Sequence, residues 1–157
     1  MTNQTYQLDA IDRKILTVLQ GQGDISHAAL AERVGASSAS CWRRIKAMEA
    51  GGVLGAVVRL VDADAVGRGV NVVCNVRMKS HERDWRQAFE DFVGGHSEIV
   101  ECFSMTGEWD YLLHIVVADV SDYERFLMRE LLSHPSVQTA SSHFALNKVK
   151  YTTALPT

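Results

Sequence analysis

Apolar residues recur at intervals of three and four along the first part of the chain, and at intervals of two along much of the rest. Ile11, Ile15, Val18 and Leu19 mark a first helix that Asp9 can cap. Asp12 sits in its opening turn, where a carboxylate meets the positive end of the helix dipole. Gly21 and Gly23 stop it. Ser26 can cap a second helix, His27 to Val34, with Ala28, Leu30, Ala31 and Val34 as a narrow apolar side. Gly35 supplies the permissive backbone for a sharp turn, and Ser37 or Ser38 can then cap a third helix. There Cys41, Ile45 and Met48 fall at i, i+4 and i+7 and face a core, and Gly51-Gly52 ends the element.

Beyond the glycines the period changes. Ala56 to Val61 is a short β-prone run, read as a tether strand leading into a hinge at Asp62 to Gly69. Val70, Val72, Cys74, Val76 and Met78 alternate with Asn71, Val73, Asn75 and Arg77, which predicts a strand with one apolar face. Trp85, Ala88, Phe89, Phe92 and Val93 give the face of a helix closed by Gly94-Gly95. Ile99 to Met105 and Tyr111 to Ala118 read as strands joined by a hairpin turn. Ser121 with Glu124 has the spacing of a capping box, ahead of a helix whose buried face holds Tyr123, Phe126, Leu127 and Leu131. His134-Pro135 breaks that helix, and Val137 to Lys150 returns as a last strand.

The order β-α-β-β-α-β predicts a ferredoxin-like antiparallel sheet with both helices on one face. The fold class is therefore α+β: a helix-turn-helix domain over residues 1–55, winged-helix-like, a linker strand and hinge over 56–69, and a ferredoxin-like domain over 70–157. Apolar side chains such as Val73, Leu113 or Ile115 remain for the uncovered sheet face, so a dimer through the sheets is expected.

Charge sharpens the first part of this picture. The whole chain of 157 residues carries a formal net charge of -3, which argues against a general polyanion binder. The basic charge is local: residues 1–61 hold seven Lys/Arg against five Asp/Glu, and residues 62–157 hold nine against fourteen. If Cys41, Ile45 and Met48 point inward, the third helix presents Ser38, Ser40, Arg43 and Arg44 outward, with Trp42 and Lys46 on the flanks and Ser37 at its start. Short polar side chains at a helix N-terminus can approach base edges, and arginines can pair with guanine or neutralise phosphates. Spacing alone leaves open a solvated basic face, and it leaves Trp42 as either a backbone-packing or a core residue.

Other chemistry finds little purchase. The three cysteines, Cys41, Cys74 and Cys102, are odd in number and widely spaced, which suggests neither a disulfide framework nor a zinc cluster and points to a reducing cytoplasm. The six histidines have no metal-ligand spacing, no cysteine has a histidine near it in sequence, and there is no glycine-rich phosphate loop. No catalytic residue, metal or cofactor is expected. No apolar run approaches a membrane span and the N-terminus has no signal pattern, so a cytoplasmic protein with no membrane partner is expected.

One more stretch invites a ligand. In Thr106-Gly107-Glu108-Trp109-Asp110-Tyr111, Gly107 allows close backbone approach, Asp110 can pair with an ammonium group, and turn amides can receive a carboxylate. That combination suits a zwitterion. Composition alone equally describes a polar hairpin in which Asp110 stabilises its own turn.

The motifs Leu8-Asp9-x-x-Asp12-Arg13-Lys14-Ile15-Leu16, Leu30-Ala31-x-Arg33-Val34-Gly35-x-Ser37 and Cys41-x-Arg43-Arg44-Ile45-x-x-Met48-Glu49-x-x-Gly52-Val53-Leu54-Gly55 resemble the N-terminal helix-turn-helix of the Lrp/AsnC (feast/famine) transcription regulators. The resemblance covers nearly the whole chain and departs from the family pattern at Trp42 and Ala56. It implies that Ser38 to Ala50 is the recognition helix. It implies that Gly107, Asp110 and Tyr111, in the stretch that begins at Thr106, correspond to a Gly-x-x-Asp-Tyr motif of an amino-acid-sensing domain, and that the last strand adds effector positions around Ser142 and His143. His143 either hydrogen-bonds the effector or faces solvent, and Trp109 either contacts the ligand or packs across the dimer seam. It also implies a homodimer assembling to an octamer or similar ring, and two recognition helices related by the dimer's two-fold axis suit a pseudo-palindromic operator in double-stranded DNA. The expected protein is a sequence-specific transcription regulator responding to an amino acid or related metabolite. The competing reading is an effector-independent architectural DNA-binding protein.

Overall fold

The computed structural model describes residues 6–157; the first five residues, where the expected 1–55 domain begins, lie outside them. The chain divides into two compact units, one running to Leu60 and taking back Lys150–Thr157, the other spanning Val61–Val149.

The first unit is built on three helices whose ends follow from local chemistry. Helix α1 (Ala10–Gly21) is capped by Asp9, whose carboxylate accepts from the Ile11 and Asp12 amides while Asp12 reaches back to the Asp9 amide. Helix α2 (His27–Val34) starts at Ser26, which accepts from Ala29 N, and stops at Gly35 in the left-handed region with φ 71°. Helix α3 (Ser38–Ala50) is capped by Ser37 rather than Ser38. Such caps contribute about 0.5–2 kcal/mol each. Ile15, Leu16, Leu30, Ala31, Val34, Cys41 and Met48 form the core, with Ile45 partly buried against it.

Residues 56–61 form no strand; Val57, Val58, Leu60 and Val61 stay exposed. A β-prone run becomes a strand only where another strand takes up its amides and carbonyls, and none among the described residues does so here.

In the second unit, β1 (Val70–Met78), α4 (Arg83–Gly95), β2 (Ile99–Ser104), β3 (Tyr111–Val117), α5 (Val120–Phe126) and β4 (Val137–Phe144) follow the expected βαββαβ order. The sheet runs β2-β3-β1-β4, with every neighbouring pair antiparallel, which is the ferredoxin-like arrangement. Val72, Cys74, Val76 and Met78 from β1, with Tyr111, Leu113, Ile115 and Val117 from β3, are buried in one cluster with Phe89, Tyr123, Phe126 and Leu131.

Four details depart from the sequence-based expectation. Leu113 and Ile115 lie in the helix-covered core at 0% exposure, so the uncovered face carries Leu112, His114 and Val116 beside Val73. Ala88 is exposed, and Phe89 is the fully buried residue of α4. The cap of α5 is Asp119, whose carboxylate accepts from Asp122 N at 2.8 Å, and Ser121 already lies within the helix. That helix runs on into a π-helical turn, Leu127–Leu131. Strand β4 ends at Phe144, not Lys150, because Phe144 pairs with Val72 near the beginning of β1 and the ladder has almost no further partner.

Candidate functional site

Helix α3 turns one exposed stripe to solvent. Ala39, Trp42, Arg43 and Lys46 fall at i, i+3, i+4 and i+7 and are all exposed, opposite the buried spine of Cys41 and Met48. Trp42 is 51% exposed, so it belongs to the surface and not to the core. No ion-pair partner is found for Arg43 among the described residues. Lys46 Nζ lies 2.7 Å from Glu49 Oε2 in an exposed pair, a contact that contributes little and that a phosphate can displace. Ser38 is exposed at the start of the stripe. The Ser37 hydroxyl accepts from Ser40 N at 3.2 Å and so serves the cap.

Two of the expected outward residues are turned elsewhere. Ser40 is half-buried. Arg44 folds back onto α1: its guanidinium Nη1 donates to Asp9 Oδ2 at 2.6 Å and to Asp12 Oδ1 at 2.8 Å, and its side chain is 22% exposed. The physical reason is position on the helix, since Arg44 follows Cys41 by three and precedes Met48 by four and therefore flanks the buried spine. Asp12 itself is 2% exposed, and a buried carboxylate demands a cation. Asp9 at the cap and Asp12 in the first turn of α1 were the sequence signal for that demand.

The second candidate site is the loop between β2 and β3. Gly107 takes φ 104°, a conformation that favours glycine. Thr106 and Gly107 are exposed, and Trp109 and Asp110 are half-buried. Arg77, which sequence reading placed on a strand and gave no role, closes over this loop. Its guanidinium lies 5.1 Å from the Trp109 ring centre, its Nε donates to the Glu108 carbonyl, and it pairs with the Glu108 carboxylate at 2.8 Å.

Asp110 has two different partners. Oδ2 accepts from Met78 N at 2.7 Å, and Oδ1 lies 2.7 Å from Nε2 of His81, a side chain that is 75% exposed. Burial works against the charge, but the Met78 amide and the His81 side chain outweigh it and hold the carboxyl below its ordinary pKa. Tyr111 turns into the covered core and donates to Glu90 Oε1 at 2.8 Å; burial and then Glu90 push its phenol up to about 12.

The two expected positions on β4 point to opposite faces of the sheet. Ser142 pairs with Cys74 and lies beneath α5, where its hydroxyl is 2.5 Å from that of Tyr123. His143 pairs with Val73 and is exposed on the uncovered face. Strand β1 separates both from β3. Within one chain, Thr106 to Tyr111 therefore form one group, and Ser142 and His143 do not join it. A cleft of about 480 Å³ between the end of α4 and β2, bordered by Val93, His96, Ile99 and Cys102, includes none of these residues. No cluster of three or more metal-ligating side chains occurs among the described residues, and no helix there is long and apolar enough to cross a membrane.

Residues 71–155 match the family model of the Lrp/AsnC ligand binding domain, and residues 8–54 match a winged helix-turn-helix DNA-binding model. The chain is 37% identical over 149 residues to the DNA-binding transcriptional activator DecR of Escherichia coli, covering 95% of this chain and 98% of that protein. It is also 37% identical over 150 residues to the glutamate uptake regulatory protein of Zymomonas mobilis, covering 96% of this chain and 91% of that one. Among solved structures, a transcriptional regulator of Neisseria meningitidis in complex with L-methionine superposes with a TM-score of 0.92 at 37% identity, covering 96% of this chain and 97% of that chain.

Proposed function

The chain belongs to the Lrp/AsnC family of DNA-binding transcription regulators, and we propose that it reads an operator with α3 and answers to an amino acid or related small metabolite. The family is one of regulators and not of enzymes. The observation that carries the reading is the exposed stripe of Ala39, Trp42, Arg43 and Lys46, held outward by a fully buried spine in a helix whose ends are locally fixed. Ser38 and Arg43 stand where base edges and phosphates are met, and Trp42 can lie along a sugar-phosphate backbone.

For the effector, the neighbouring structure with bound L-methionine supports an amino acid, and the loop at Thr106 to Asp110 has the matching chemistry. Gly107 admits a ligand to the backbone amides. Asp110 keeps one oxygen on Met78 and offers the other to a ligand ammonium, which need only displace the exposed His81. Trp109 and Tyr111 shape this loop in this reading, while Ser142 and His143, separated from it by β1 within one chain, take part only where a second chain brings them to it.

The uncovered sheet face joins two chains into a dimer through Val73, Leu112, Val116 and Phe103, and dimers build a larger assembly such as an octamer. Pairing places two α3 helices on the half-sites of a pseudo-palindrome. The site of action is the cytoplasm, with no cofactor and no membrane partner. A gel-shift titration against a duplex selected from a random pool by the wild-type protein tests the reading. Arg43→Ala lowers affinity if α3 is the reading helix, and unchanged affinity assigns DNA binding elsewhere.

A further inference from the structure

The contact between Arg44 and the start of α1 has a consequence for specificity. Asp9 and Asp12 each divide their oxygens between two tasks. Asp9 Oδ1 accepts from the Ile11 and Asp12 amides at 2.8 Å each, and its Oδ2 takes Arg44. Asp12 Oδ2 accepts from the Asp9 amide at 3.1 Å and from the Tyr6 hydroxyl at 3.4 Å, and its Oδ1 takes Arg44. The reciprocal cap that starts α1 is thus bolted to the middle of α3 by one guanidinium. Arg44 Nε is buried with no hydrogen-bond partner, so that edge of the group faces protein. Held by Nη1 on both carboxylates, the guanidinium is turned toward the start of α1, and its side chain is only 22% exposed where Trp42 and Arg43 are at the surface.

We infer that Arg44 and Asp12 form a strut that sets the roll of α3 against α1, so that Arg44 fixes which bases the exposed stripe reads without touching DNA. The inference rests on α3 being the reading helix. Apolar packing alone leaves this roll loosely determined, because the buried face of α3 is narrow: Cys41 and Met48 are its fully buried residues, with Ile45 only partly covered. An ion pair with one partner at 2% exposure supplies the direction that packing lacks, since parting it strands a desolvated charge.

The strut and a phosphate contact give opposite signatures in three measurements. A phosphate contact adds to affinity for any duplex and about 0.9 to the slope of log affinity against log salt. A strut adds nothing to the slope and acts on discrimination. The test compares wild type, Arg43→Ala, Arg44→Ala and Asp12→Asn by fluorescence anisotropy. Each is titrated with the selected duplex and with a scrambled one across a salt series.

Arg43→Ala is expected to weaken both duplexes and to flatten the slope by about 0.9. Arg44→Ala and Asp12→Asn are expected to keep the wild-type slope and to lose about tenfold or more in preference for the selected duplex, the scale of one base pair's readout. Unfolding alone removes active protein equally for both duplexes and leaves the preference intact. Asp12→Asn keeps the inference open to refutation if Arg44→Ala fails to fold. It removes an acidic charge, so a purely electrostatic role makes binding to both duplexes tighter. A flattened slope for Arg44→Ala, or an unchanged preference or tighter binding for Asp12→Asn, overturns the strut. No effect from Arg43→Ala overturns the assignment of α3 itself and the strut with it.

Discussion

The Asp110 carboxylate and the Met78 amide meet at 2.7 Å, joining the start of β3 to the end of β1. Asp110 N also donates to the Val76 carbonyl at 2.9 Å, and Met105 N to the Asp110 carbonyl at 2.8 Å, so one residue ties together the loop and two strands. An acidic residue offered to a ligand is here already part of the frame. Asp110→Ala removes a charge-assisted bond and leaves a Met78 amide without its acceptor, which should cost about 1–3 kcal/mol in urea unfolding. In a thermal-shift screen of the twenty amino acids, wild type should gain melting temperature with at least one, and Asp110→Ala should lose that gain. A variant that keeps the full shift removes Asp110 from the effector site.

Adjacent residues on β3 should have opposite fates. Leu113→Ala opens a cavity beneath the helices and should destabilise the domain by about 2–5 kcal/mol. Leu112→Glu places a charge on the uncovered face, where Leu112 pairs across to Phe103 and Asn75. It should leave the helical and sheet circular-dichroism signal in place while light scattering reports a smaller assembly. An assembly of wild-type mass with a Leu112→Glu fold intact means that the chains pair by another surface.

That pair also marks how far the sequence was legible. Strand β1 could be phased because Asn71, Asn75 and Arg77 alternate with its apolar residues. Strand β3 reads Tyr-Leu-Leu-His-Ile-Val-Val, apolar at both parities, and a period of two cannot choose its inward face. The helix boundaries around Ser26, Gly35 and Ser37 were readable because capping is local. The inward turn of Arg44 was not read, although its place between Cys41 and Met48 and the two acidic residues at Asp9 and Asp12 carried the information. The expected effector positions on β4 depended on which face each side chain takes, and only the register with β1 separates Ser142 from His143.

Stability should fall with acid in two stages of the same sign. Burial holds the His134 imidazole below its ordinary value near 6.5, with its ring 4.9 Å from that of Phe92. A group with a lowered folded pKa binds more protons when unfolded, so its contribution is complete above the unfolded value and is lost as pH falls below it. Urea midpoints should therefore decline as pH falls below about 6.5, and His134→Asn should flatten this decline. Asp110, Asp9 and Asp122 are also held below the ordinary carboxylate range. Their contribution is complete above about 3.9 and disappears as pH falls through the lowered values. A midpoint that rises on acidification through either range contradicts the assigned directions.

The central claim is that one chain couples an amino acid to operator binding, and coupling is reciprocal between the two ligands. The direct measurement is the anisotropy titration of the selected duplex, with and without each of the twenty amino acids at saturation. At least one amino acid should change operator affinity by roughly five-fold to about a hundredfold, the range expected for couplings of about 1–3 kcal/mol. Identical operator affinity under all twenty would contradict the claim and leave an effector-independent DNA-binding protein.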